Sequence, residues 1–185
     1  MRLSILVMMV MMVALVGCKK AKAPSGVTAA SARPPASTER RFTIFPTAEK
    51  KPEEATAITM QVPSDATVEL DPMGAPSVAL AGLSGFLPPG LGSLRCPDRK
   101  DAAACLDWVI SLQFGKEDLP SVEREPRSDG RVWMKHTRDT GHVHARLFVP
   151  IAKPPGVLMC YAILKPEDAA RLPDVKALCE SLRLD

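Results

Sequence analysis

The chain has 185 residues, with 24 Lys/Arg against 21 Asp/Glu and 46% apolar residues. That length supports one domain with a real core plus flanking chain, and the near-balanced charge argues against nucleic acid as a partner. The balance is uneven along the chain. Residues 19–51 carry eight Lys/Arg against Glu39 and Glu49, whereas residues 52–185 carry 15 basic and 19 acidic residues.

Met1-Arg2 is a short positive start, followed at 3–16 by about 14 almost wholly apolar residues. Such a run lies within the roughly 7–15 residues of a signal-peptide core. It falls short of the roughly 20 that cross a bilayer as a helix. It ends in Leu15-Val16-Gly17-Cys18, which resembles the lipobox of bacterial lipoproteins. The resemblance implies that residues 1–17 are a signal peptide cut off by signal peptidase II. It also implies that Cys18 carries acyl chains, palmitate among them, and begins the mature protein. The expected partner is then a membrane, held through Cys18, because more than one acyl chain is needed for stable anchoring. Lys19 stands where enterobacterial lipoproteins kept in the inner membrane carry Asp. That points to the periplasmic face of the outer membrane in a Gram-negative host.

Residues 18–56 read as a lipidated, Pro/Ala/Ser/Lys-rich tether with a reach of about 35 Å. From 19 to 38 almost no large apolar residue is present to offset chain entropy. Phe42-Thr43-Ile44-Phe45 interrupts it, as a first strand or as an anchor docking on the domain. A single α+β domain is expected over 57–185. Its opening segments, 58–62 and 67–70, alternate with period two, and 77–83 is a further strand candidate. Residues 85–93 (Gly-Phe-Leu-Pro-Pro-Gly-Leu-Gly-Ser) are a loop by composition. Phe86, Leu87 and Leu91 in it are the candidate contact for an envelope protein partner, should they be exposed.

Leu106, Trp108, Ile110, Leu112 and Phe114 alternate as in a strand, with a helix from Ala102-Ala103-Ala104 as the other reading. Segments 131–138, 142–151 and 157–164 form an antiparallel meander. Pro166-Glu167-Asp168 opens a helical stretch that Pro173 divides. In its last part Val175, Leu178, Cys179 and Leu182 recur at i, i+3, i+4 and i+7, a single apolar stripe.

Besides Cys18 the chain has Cys96, Cys105, Cys160 and Cys179. An even number in an exported chain reads as two disulfides. Of three connectivities, Cys96–Cys105 with Cys160–Cys179 is expected. The first staples a polar loop and the second ties a strand to the last helix. No pair has the close Cys-x2–4-Cys spacing of zinc sites.

Strands followed by a closing helix give an α+β fold, an antiparallel meander packed against a C-terminal helix. The meander and the closing segment 175–183 resemble lipoprotein domains with the PsbP-like sandwich fold. The resemblance implies a non-enzymatic accessory or assembly protein, and no cofactor is expected.

His136, His142 and His144 bracket one hairpin turn. A three-residue loop, 139–141, would set His136 opposite His144, while an even-length loop would put it on the other face. Val132 and Met134 share a face with His136, whereas Val143, Ala145, Leu147 and Val149 lie opposite His142 and His144. Matching the apolar faces requires the even-length loop, which separates His136 from the other two. No catalytic residue is therefore assigned, and Ser84 lacks the second glycine of a nucleophile elbow. The expected function is non-enzymatic binding or scaffolding by a membrane-anchored envelope lipoprotein. The alternative is an envelope metalloprotein or hydrolase using the three histidines, with His142 and His144 as metal candidates.

Overall fold

The structure is a computed structural model and describes residues 36–46, 49, 51–83, 87–96, 98–114 and 121–185. Cys18 and Phe86 lie outside the described residues. Ordered structure begins with β1 (Ser37–Ile44), which pairs antiparallel with β2 (Thr56–Pro63) from Ser37↔Pro63 to Ile44↔Thr56. On the other side of β2 lies the short β10 (Arg183–Leu184), which completes a three-stranded sheet. In β2 the residues Thr56, Ile58, Met60 and Val62 are buried and their alternates are not, as period two predicts. β1 falls inside the segment 18–56 read as tether, so the domain starts well before residue 57. The physical reason is that an edge strand with one wet face needs few apolar residues. Only Ile44, fully buried, and Phe42 reach the core, and backbone pairing with β2 holds the remainder.

The second sheet has seven strands: β3 (Thr67–Leu70), β4 (Pro76–Ala79), β5 (Leu87–Arg95), β6 (Glu123–Pro126), β7 (Val132–Thr137), β8 (Val143–Ile151) and β9 (Gly156–Leu164). Their order is β3-β4-β5-β9-β8-β7-β6, antiparallel throughout. β7, β8 and β9 are the expected meander. β5, in contrast, occupies the segment read as a loop. It is a central strand between β4 and β9, and its pairing with β9 shifts by one residue between Leu87↔Ile163 and Gly90↔Tyr161. Pro88 and Pro89 fall in that shift, where a residue without an N–H interrupts no regular ladder bond. Leu91 is 6% exposed and belongs to the core, which removes it from the candidate contact surface.

Two α-helices are present among the described residues. α1 (Ala102–Gln113) is the helix read from Ala102-Ala103-Ala104, in place of the strand suggested by alternation at 106–114. Asp101 caps it, accepting a hydrogen bond from the Ala104 N–H at 2.8 Å. Burial of Cys105, Leu106, Val109 and Ile110 follows the helical period, and Leu112 is 58% exposed, so the period-two pattern was fortuitous. A 3-10 segment (Pro166–Arg171) leads into α2 (Leu172–Glu180), where Pro173 sits in the first turn. The expected stripe of Val175, Leu178, Cys179 and Leu182 is buried.

Both faces of the large sheet carry core. One packs Trp133, Ala145, Leu147, Leu158 and Cys160 against the small sheet and α2. The other packs Val132, Met134, Phe148 and Val157 against Cys105, Val109, Ile110 and Phe114. The cysteines pair as expected. Cys96–Cys105 joins the end of β5 to α1, with Cα atoms 5.7 Å apart, and Cys160–Cys179 joins β9 to α2 at 5.6 Å. Replacing Cys160 and Cys179 together by Ser is expected to lower stability by about 3 kcal/mol, from the loop-closure entropy of a closed segment of this size. Denaturant melts read this, and an unchanged midpoint would count against the link.

Candidate functional site

α1 covers only part of its face of the large sheet. Pairing between strands places side chains in rows on that face. One row is Gly92, Met159, Phe148 and Val132; the next is Gly90, Tyr161, Arg146 and Met134. The last is Ile163, His144 and His136. Met159, Tyr161, Ile163, His144 and Arg146 are half-buried, whereas Phe148 and Val132 are buried in the core beneath α1. The last two rows carry the polar groups, and in them Gly90, Met134 and His136 are buried while Tyr161, Arg146, Ile163 and His144 are half-buried.

His136 stands directly opposite His144, which corrects the expected separation. Their ring centroids are 6.4 Å apart with planes at 72°. The Arg138 N–H bonds to the His142 carbonyl at 2.9 Å, leaving a three-residue loop at 139–141 with Gly141 at φ +79°. Such loops end in a left-handed residue, a position that favours glycine. Hydrophobic matching failed because it assumed one apolar face. With α1 and the α2 side both covered, Val132 and Met134 are buried on one face while Val143, Ala145 and Leu147 are buried on the other. Register then owes nothing to aligning the two apolar sets.

His142 stays in the turn, its Nδ1 2.9 Å from Thr140 Oγ1. Ser121 Oγ lies 3.2 Å from His136 Nδ1. Among the described residues no three His, Cys, Asp or Glu side chains converge as a metal-binding group. His136 and His144 are the imidazoles close enough to share a ligand.

Arg146 extends its guanidinium over the Phe114 ring at the end of α1, 4.7 Å from the centroid. This is a cation–π contact, and no carboxylate is paired with Arg146 among the described residues. Burial lowers its pKa, and the nearby Arg138 lowers it further. His144 is pushed down to about 4 from 6.5, first by burial and then by the positive charges of Arg146 and Arg138 and the neighbouring His136 and His142. The patch is a cationic one that keeps His144 neutral.

Beside Arg146 lies a depression of about 370 Å³, bordered by Gly92, Gln113, Met159, Tyr161 and Ile163. Gly92 leaves room in it, since a Cβ there would meet Met159 Cε and Tyr161 Cε1 at ordinary contact, 3.8 Å each. A second groove, of about 270 Å³, lies where Gln61, Leu80, Arg171, Ala177 and Leu178 meet. Its cation is already satisfied: Arg171 pairs with Asp174 at 2.6 Å and donates to the Ala81 carbonyl at 3.1 Å. The difference singles out the Arg146 depression. Neither Arg146 nor Tyr161 was singled out from the sequence. The available signal was that His144 and Arg146 occupy two successive positions on one face of β8, opposite Val143, Ala145 and Leu147.

The His144 ring is expected to titrate near pH 4 in an NMR pH series, and a midpoint near 6.5 would contradict its surroundings. In the unfolded chain the ring takes up its proton near pH 6.5. The unfolded state therefore holds more protons as pH falls from about 6.5 through about 4, and stability is lost across that window. His144→Gln should remove that share of the pH dependence. No protein-family model, curated protein or solved structure matches the chain.

Proposed function

We propose that this protein is a lipid-anchored, non-enzymatic binding component of a bacterial cell envelope, tethered through acyl chains on Cys18. The observation that carries the binding reading is the half-covered sheet face, where Arg146 borders an open depression with no carboxylate partner among the described residues. Such a group is built to hold a ligand, since a concave, mostly apolar surface with a few fixed polar groups is the common form of a binding site.

Support for export comes from the lipobox Leu15-Val16-Gly17-Cys18 and from two disulfides, whose cysteines are all 2% exposed or less. Disulfides persist in oxidising compartments and are rare in the bacterial cytosol. Among the described residues no helix is long and apolar enough to cross a membrane, and in this reading the anchor is covalent. The antiparallel meander with its closing helix is consistent with a PsbP-like sandwich, whose members are mostly accessory and assembly proteins. With Lys19 after the cysteine, the periplasmic face of the outer membrane is the proposed address in a Gram-negative host.

Membrane fractionation of cells expressing Cys18→Ala tests the anchor. The variant is expected as an uncleaved or soluble species. Normal maturation together with retention on membranes would end the lipoprotein reading.

One observation favours a second reading, an envelope metalloprotein or hydrolase: His136 and His144 face each other, with Ser121 against His136. It would prevail if the purified chain bound one equivalent of zinc or copper and His144→Ala lost it.

A further inference from the structure

The geometry points to the depression beside Arg146 as a site for an amphiphilic carboxylate, its acid group on Arg146 and its apolar body lying over Gly92 and against Met159 and Tyr161. The inference deepens the binding reading above and rests on it.

Charge selects the acid. Arg146 is half-buried, and its partner among the described residues is the Phe114 ring. A partly desolvated cation without a counter-charge is unfavourable, and a planar guanidinium offers a fork of N–H donors that matches a carboxylate. The neighbouring Arg138 and His144 add no negative charge to oppose an incoming anion. Among the described residues, the charges that act on His144 and on Arg146 are those of guanidinium and imidazole groups. In the second groove Arg171 already holds Asp174, so an acid would have to displace an existing pair.

Shape and lining select the apolar body. Next to the guanidinium the surface is Met159, Ile163, the Tyr161 ring and the bare backbone of Gly92. Gly92 sits on β5 between β4 and β9, where a side chain would be accommodated without a clash. Sheet interiors seldom forgo a side chain without reason, and glycine there marks a close approach of another group. At about 370 Å³ the space is within the usual range of small-ligand sites, about 300–1,000 Å³.

The test uses the full chain carrying Cys18→Ala, so that no protein-bound acyl chain competes with the probe. Sodium decanoate, decanol and inorganic phosphate are titrated separately by calorimetry. Decanoate is expected to bind at one per chain, with decanol and phosphate each weaker by about 10- to 100-fold, the loss that follows removal of a charged hydrogen-bond partner. Arg146→Gln should weaken decanoate by the same factor, and Arg146→Lys by less. Gly92→Leu should block decanoate while leaving the melting temperature close to that of the parent. Arg146→Gln reports independently should that variant fold poorly. Equal binding of decanoate and decanol, undiminished binding by Arg146→Gln, tighter binding of phosphate, or no decanoate binding would each overturn the inference. Those outcomes leave the anchoring of Cys18 untouched, whose failure shows only in membrane fractionation.

Discussion

Backbone pairing of β9 with β5 on one side and β8 on the other sets the position of most other elements. Nine successive partners, from Val143↔Leu164 to Ile151↔Gly156, lock β8 onto β9. At the start of β9, Gly156 lies so close to β5 that a Cβ there would stand 2.9 Å from the Leu94 carbonyl oxygen, so a side chain is barred. Its partner Arg95 reaches outward and donates to the Glu54 carbonyl at 2.7 Å and Thr56 Oγ1 at 2.8 Å, linking β5 to the start of β2. Further along β9, Cys160 is bonded to Cys179, so α2 hangs from the same strand. The large sheet, the small sheet and the closing helix thus meet along one strand.

A sheet apolar on both faces needs two covers, and the two here are unequal. On the first face the small sheet and α2 bury a continuous core, with Trp133 2% exposed beneath the Lys176 ammonium, 5.5 Å from its ring centroid. Ion pairs fringe this side, including Lys176–Glu125 and Arg127–Glu180, which are partly exposed and add little stability individually. On the second face α1 is the cover among the described residues, and it ends at Gln113 with Phe114 as its C-cap. Rows beyond that point carry Tyr161, Arg146, His144 and His136 in place of aliphatic residues. The short cover and the polar rows are two expressions of one arrangement. Because α1 is pinned at its first turn by Cys96–Cys105, its far end stands at the edge of the cationic patch.

Burial there has electrostatic consequences that neither residue type would show alone. His144, next to Arg146 and Arg138 in a half-buried site, is held neutral across the physiological range. Arg146 gains an aromatic face but no counter-ion among the described residues. The positive charge beside His144 is therefore that of guanidinium groups, not of the His144 ring. An anion arriving there would meet a fixed charge instead of a group that must first be protonated.

Local patterns carried much of the chain's organisation. The lipobox reading depends on contiguous residues, and it stands on them alone because Cys18 lies outside the described structure. The meander β7–β9 was legible because turn residues bracket each strand, and α2 because its stripe has one buried side. The disulfide pairing followed from the same two elements and a short polar loop. Tertiary structure decided the remainder. β1 ends on Phe42-Thr43-Ile44, read as a first strand or a docking anchor, but its polar first half has no pattern of its own and is held by pairing with β2. β5 resembles a loop because its prolines sit at a bulge that only its pairing with β9 reveals. α1 could be read as strand or helix because Leu106, Trp108, Ile110, Leu112 and Phe114 alternate, and burial of Cys105, Leu106, Val109 and Ile110 decides for the helix. The histidine register failed for a related reason. Apolar alternation orients a strand only when one face is wet, and in β7 and β8 both faces are covered. Sequence alone thus determined which segments could be strands or helices, while the second layer, contributed by distant residues, decided which faces were inside and which side chains met.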